Sequence, residues 1–416
     1  MSSESQATTP PAIHWPSVGQ FGLSLLATSI LWSMAGSVAM GGMVALFDPR
    51  LIGGDALSLF LLASGLAFIG LLLVPSAYFA FLRLSGRPGI LPDLRLSRRL
   101  RPSILILLFP LVIFAGYWIY QNANLAWLFL PPLHILAVLL PIWWLLYLGV
   151  RRLPTGSPQR AWGVFDSGLV LGPFLILFFE ILFFGFFAVA AAIYLSTQPD
   201  LSTELLNLAQ RLTDTAQSPE LVLEMVRPYL LQPAVIYGVF LFGAVLTPLI
   251  EELLKPVGVW LLAGAALTPG AGFAAGLMSG AGFALFESLA YSSSAEDWVF
   301  AVVARVGTAV MHITTAGLVG WALAVAWQQR RYLRLVVAYG IAVILHGLWN
   351  GVTLLNVYYS LAPEGSENPS FLYSVAGIAP LFLGFMTIAM FVFLLWSNYR
   401  LRKSAEKIRA DAKSVL

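Results

Sequence analysis

Apolar runs of about 20 residues recur along the whole chain, broken by short polar or Gly/Pro-containing stretches. They fall at 20–47, 56–82, 104–121, 126–150, 168–195, 233–263, 271–291, 299–327, 335–357 and 371–396. Each run is close to the length that crosses a hydrocarbon core of about 30 Å. An isolated run in lipid satisfies its own backbone only as a helix. The pattern therefore predicts an all-α, polytopic transmembrane helix bundle of about ten spans. Residues 1–19 are polar and proline-containing, and read as a disordered N-terminal tail. Residues 196–232 follow another rhythm: Leu201, Leu205, Leu208 and Leu212 recur at helical spacing, and Ser218-Pro219-Glu220 has the form of an N-cap followed by proline in the first turn. This segment is expected to be an amphipathic extracytoplasmic loop of two helices resting on the membrane surface, with a lid or substrate-docking element as the alternative.

Composition sharpens the picture. Charged residues make up 10% of the chain, against about 25% in soluble domains, which excludes a soluble domain of ordinary size. Cysteine is absent, so disulfides, thiolate metal sites and cysteine nucleophiles are excluded together. With alternate loops assigned to the same side, one side collects Arg83, Arg87, Arg95, Arg98, Arg99, Arg101, Arg151, Arg152, Arg160, Arg330, Arg331 and Arg334, together with the basic residues of the tail 397–416. The other side receives only Arg50, Arg211 and Arg227. Basic residues favour the cytoplasmic face, so both termini are expected in the cytoplasm, the protein being a multi-pass component of the cytoplasmic membrane.

Ionisable groups at membrane depth are expensive and point to function. The first five spans carry only His134 and Glu180 at depth, whereas the next four carry Glu251, Glu252, Lys255, Glu287, Arg305, His312 and His346, with Asn350 one turn beyond. At about 1.5 Å of rise per residue, Glu251, Glu287, His312 and His346 share a slab roughly 17–24 Å from the cytoplasmic ends of their helices. Glu251 and Lys255 lie four apart and form an expected ion pair, and Arg305 is a candidate partner for Glu287. Gly272, Gly276 and Gly280 make a small-residue stripe suited to close helix approach, with Phe283 and Glu287 continuing roughly that face. Pro248 and Pro256 bracket the glutamate pair and are expected to kink its helix and free backbone carbonyls.

These residues resemble an ordered set of motifs. Glu251-Glu252-Leu253-Leu254-Lys255 is similar to the EExxK signature of the PrsW family of glutamic-type intramembrane proteases. Phe283-Ala284-Leu285-Phe286-Glu287, with Tyr291 after it, resembles that family's FxxxE element. His312 resembles its third-motif histidine, and His346-Gly347-Leu348-Trp349-Asn350 its last element. The wider superfamily includes the CAAX-processing endopeptidases, from which the chain departs by having Glu287 where those enzymes carry histidine. The resemblance implies a protease core at 233–357, with 20–195 a five-span region of unknown role and 358–396 a final span. It also implies regulated intramembrane proteolysis of a membrane-anchored protein, an anti-sigma-factor-like substrate among the candidates.

Hydrolysis of a peptide bond needs an activated water, a base and donors for the oxyanion. The expected roles are Glu251 as base, Glu252 bonded to it or to the water, Glu287 and His312 orienting the water, and His346 and Asn350 donating to the oxyanion. Lys255, Phe283 and Arg305 support them. No cofactor is expected. The alternative holds Zn²⁺ on Glu251, Glu287, His312 and His346, although HExxH is absent. Rival functions are a proton-coupled transporter and a catalytically inactive scaffold or signalling protein. The bilayer and a membrane-anchored protein are the expected partners, and nucleic acid is not.

Overall fold

The computed structural model describes residues 14–48, 55–87, 102–215, 219–290, 298–361 and 371–414. In chain order its helices are α1 (Trp15–Phe47), α2 (Ala56–Leu84), α3 (Pro102–Leu105), α4 (Leu108–Tyr120), α5 (Ala123–Val150) and α6 (Pro158–Asp166). A π-helical turn, π1 (Ser167–Leu171), leads into α7 (Gly172–Ser196), followed by α8 (Pro199–Thr215), α9 (Pro219–Leu230) and α10 (Pro233–Phe240). A second, π2 (Leu241–Leu246), leads into α11 (Thr247–Leu254), then α12 (Val257–Trp260), α13 (Pro269–Ala290), α14 (Trp298–Gln329), α15 (Tyr332–Leu361) and α16 (Phe371–Ser414). No strand occurs among the described residues, so the all-α expectation holds.

Nine helical segments among the described residues are long and apolar enough to cross a membrane. The run expected at 104–121 is instead broken into α3 and the 13-residue α4. At about 1.5 Å per residue α4 is roughly 20 Å long, less than the hydrocarbon core. The tail is shorter than expected, because α1 starts at Trp15 with Pro16 in its first turn, where the missing N–H is of no consequence. Pro219 opens α9 as the sequence suggested, while Ser218, the expected cap, lies outside the described residues. α8 and α9 are tied together by Tyr229, whose hydroxyl donates to Glu204 Oε1 at 2.6 Å.

The centre of the bundle is the α13–α14 pair. Their apolar windows are 83% and 89% buried, against 22% for α1, α15 and the membrane part of α16. Close approach explains this. A Cβ on Gly280 would lie 2.7 Å from the backbone oxygen of His312, and Gly276 meets the Ala316 carbonyl still more closely, so the small-residue stripe sets α13 directly on the backbone of α14.

Two prolines shape the helices that approach this centre. Pro173 and Pro248 each follow a π turn by two residues, and in each the last π-type bond is donated by the residue just before the proline: Gly172 to Ser167 O, and Thr247 to Phe242 O. A proline supplies no N–H and crowds the carbonyl four residues back, so a wider turn ahead of it accommodates the ring.

A polar seam joins α1, α2 and α6. Gln20 donates to Ser76 Oγ at 2.8 Å, Ser24 donates to Asp166 Oδ2 at 3.3 Å, and Gln159 donates to Ser17 Oγ at 2.7 Å and Gln20 Oε1 at 3.0 Å. Asp166 is buried at this seam. The sequence left it unremarked because the apolar run was started at 168, whereas the helical segment begins at Pro158.

Candidate functional site

Four helices bring their polar groups together. α11 carries Glu251 and Glu252 and ends at Leu254, ahead of Pro256. Lys255 follows at the break, held there by Ser279 of α13, whose hydroxyl donates to the Lys255 carbonyl at 2.7 Å and accepts from Gly258 N–H at 3.3 Å. Phe283 and Glu287 come from α13, Arg305 and His312 from α14, and His346 and Asn350 from α15.

The Lys255 ammonium is at the middle of the cluster. Its Nζ is 2.6 Å from Glu252 Oε1, 3.4 Å from Glu251 Oε2, 2.6 Å from His312 Nδ1 and 3.4 Å from His346 Nδ1. It also lies 5.0 Å from the centre of the Phe283 ring, over its face. Glu252 Oε1 is 2.9 Å from His346 Nδ1 as well, so Glu252 ties the lysine to the second imidazole. The two imidazoles meet edge to face at 5.3 Å, and Phe283 abuts His312 at 4.9 Å.

Glu287 closes the other edge. Arg305 Nη1 donates to Glu287 Oε1 at 2.8 Å, and Glu287 Oε2 approaches His312 Nε2 to 2.6 Å. Exposure separates the carboxylates. Glu252 and Lys255 have none, Glu251 retains 12% and Glu287 32%, so the cluster is open on the Glu251 and Glu287 side. Glu180 of α7 adds a residue to which the sequence gave no role. Its side chain hydrogen-bonds Thr247 at the start of α11, four residues ahead of Glu251. Nothing in its Phe-rich surroundings along the chain signalled this, because the partner lies on another helix.

Asn350 is placed differently from the other motif residues, with its Nδ2 donating to Gly243 O in π2 at 2.9 Å. Tyr291 lies outside the described residues. His134, left without a role, accepts a hydrogen bond from Trp298 Nε1 at 3.1 Å, at the start of α14 and ahead of Arg305 and His312 on that helix.

Metal-ligand chemistry fits part of this set. Glu251, His312 and His346 each offer one ligand atom, all within 4.8 Å of one another. One carboxylate and two imidazoles is a donor set of catalytic zinc sites. Glu251 Oε2 and His312 Nε2 are buried, and their nearest charged neighbours are Lys255 Nζ at 3.4 Å and Glu287 Oε2 at 2.6 Å, so an ion held there would compete with those contacts. Three of the four residues named for the zinc alternative thus come together, with Glu287 beside them on Arg305.

A family model described as PrsW family intramembrane metalloprotease matches residues 172–395, just over half of the chain. The chain belongs to the PrsW family. The match begins at α7 and ends within α16, so it takes in every residue of the cluster and Glu180 besides. Membership of this family of membrane proteases, with nine membrane-length apolar helices among the described residues, makes the chain a multi-pass membrane protein. No curated protein and no solved structure matches it.

Proposed function

We propose that the chain is an intramembrane endopeptidase that hydrolyses a peptide bond of a membrane-anchored protein, with Glu251, His312 and His346 holding a zinc-type ion. The convergence of these three side chains from α11, α14 and α15 carries the reading. Bound there, such an ion supplies Lewis-acid polarisation and an easily deprotonated water. The chain's own groups do the rest. Glu287, the most accessible carboxylate, takes the proton of the attacking water and passes it to the leaving amine. Arg305 fixes its direction through the 2.8 Å bond. Glu252 and Lys255, fully enclosed, hold the two imidazoles and Glu251 in place.

A second reading is favoured by the position of Lys255. An ammonium among two glutamates and two imidazoles supplies positive charge without a metal, and Glu251 is then the base of a glutamic-type hydrolysis. One experiment separates the two. The full chain in lipid nanodiscs is incubated with a library of single-span substrates, anti-sigma-factor-like proteins among them, before and after chelation. Loss of cleavage on chelation and its return with zinc supports the first reading. Undiminished cleavage by metal-free protein overturns it in favour of the second. The same fragments from wild type and Glu251→Ala overturn both.

A further inference from the structure

Pro248 removes a backbone donor that π2 requires. Within π2 the bonds run from residue i to i−5, the last being Thr247 N–H to Phe242 O. The next in that register would join residue 248 to Gly243 O, and proline has no N–H to give. A carbonyl without a donor is costly inside a bilayer. Gly243 O nevertheless has one: Asn350 Nδ2 of α15, at 2.9 Å. Because a carbonyl only accepts, the amide must present its NH₂ here.

The surrounding contacts bring that amide into place. Gly347, one turn before Asn350, lies so close to Ala244 that a Cβ would stand 2.5 Å from its carbonyl oxygen. Ala244 O is the acceptor residue 248 would serve in ordinary α register, four residues back. Further along, Tyr339 of α15 donates its hydroxyl to Leu249 O at 2.7 Å. One face of α15 therefore grips backbone carbonyls on both sides of Pro248, just ahead of the glutamate pair. A π turn inserts one extra residue, and one residue corresponds to about 100° of helix rotation. Relaxation of π2 into α geometry would therefore swing Glu251 and Glu252 away from His346 by about that angle.

We propose that Asn350 is a positioning residue that replaces the missing N–H of Pro248, keeps π2 wound, and thereby sets the rotation at which α11 presents Glu251 and Glu252. The oxyanion role that its motif implies is then not its own. The proposal deepens the proteolytic reading and rests on it for its activity arm only.

Restoring the backbone donor makes the test. Asn350→Ala is compared in the wild-type and Pro248→Ala backgrounds, the latter having an N–H at 248. In the wild-type background kcat should fall about 10²-fold with little change in KM. In the Pro248→Ala background the same substitution should cost only a small fraction of that. An equal loss in both backgrounds, or no loss in the first, overturns the proposal. Hydrogen exchange of the amides at 249–254 in the full chain is the second measurement, readable even if no substrate is cut. Asn350→Ala should speed exchange there, and adding Pro248→Ala should slow it again. Unchanged exchange in Asn350→Ala overturns the positioning role, whereas these exchange changes in the variants, together with a wild type that cleaves nothing, sink the protease reading alone.

Discussion

Glu251 and Glu252 are neighbours in the chain with opposite surroundings. Glu252 has no exposed surface and shares Lys255 and His346, while Glu251 keeps an open edge. The lysine is therefore as much a structural counter-charge as part of the site. Removing one partner of a buried pair leaves the other uncompensated, a loss of about 3–5 kcal/mol. Lys255→Met should lower the thermal unfolding midpoint of the purified chain accordingly, and Lys255→Met combined with Glu252→Leu should recover most of the loss. An unchanged midpoint in the single variant would contradict the enclosed ion pair. Arg305→Ala acts on activity instead: with Glu287 no longer aimed, kcat should drop about 10- to 100-fold while the fold persists. Steady-state kinetics on any cleaved substrate checks this. The spacing of four linked Lys255 to Glu251, and the structure has that pair at 3.4 Å. The spacing of three to Glu252 is helical as well, since Lys255 keeps right-handed helical geometry, and that contact is the shorter one at 2.6 Å. Glu180 was illegible because its hydrogen-bond partner Thr247 is on a different helix.

Helices in lipid gain little from burying apolar side chains against one another, so their association depends on close backbone approach and polar bonds. The α13–α14 pair uses the first. Gly276→Val should separate these helices, because its side chain would meet the backbone carbonyl of Ala316 rather than a movable side chain. A loss of about 1–3 kcal/mol or more is expected, read as earlier thermal aggregation than wild type. A variant as stable as wild type would show that the contact is not tight. The glycine stripe was legible from spacing alone, and so was the grouping of the polar residues on α11, α13, α14 and α15. The π turns were not. Pro248 announced a defect, but the donor that reaches Gly243 O comes from Asn350, 107 residues further along the chain than that carbonyl. In the run at 104–121 the break between α3 and α4 is signalled only by Pro110, which has no N–H for the carbonyl of Ile106 at the break.

For the molecule as a whole, the distribution of basic residues makes a prediction independent of chemistry. The chain has no cysteine, so single cysteines report cleanly. That distribution of basic residues needs the broken α3–α4 segment to cross as well, in which case a membrane-impermeant maleimide should label Gln198→Cys in intact cells, and Thr155→Cys or Gln329→Cys only after lysis. Labelling of Thr155→Cys from outside would show that α3 and α4 do not cross. Positions ahead of residue 172 lie outside the family match, yet they are mechanically joined to it. The ladder of Gln20, Ser24, Ser76, Gln159 and Asp166 locks α1 and α2 to α6, and π1 directly after it seats Gly168 against the backbone of Ser279, two turns before Glu287. If either outer helix rolled about its axis, it would have to break that ladder or press π1 on α13, the helix that bears Glu287.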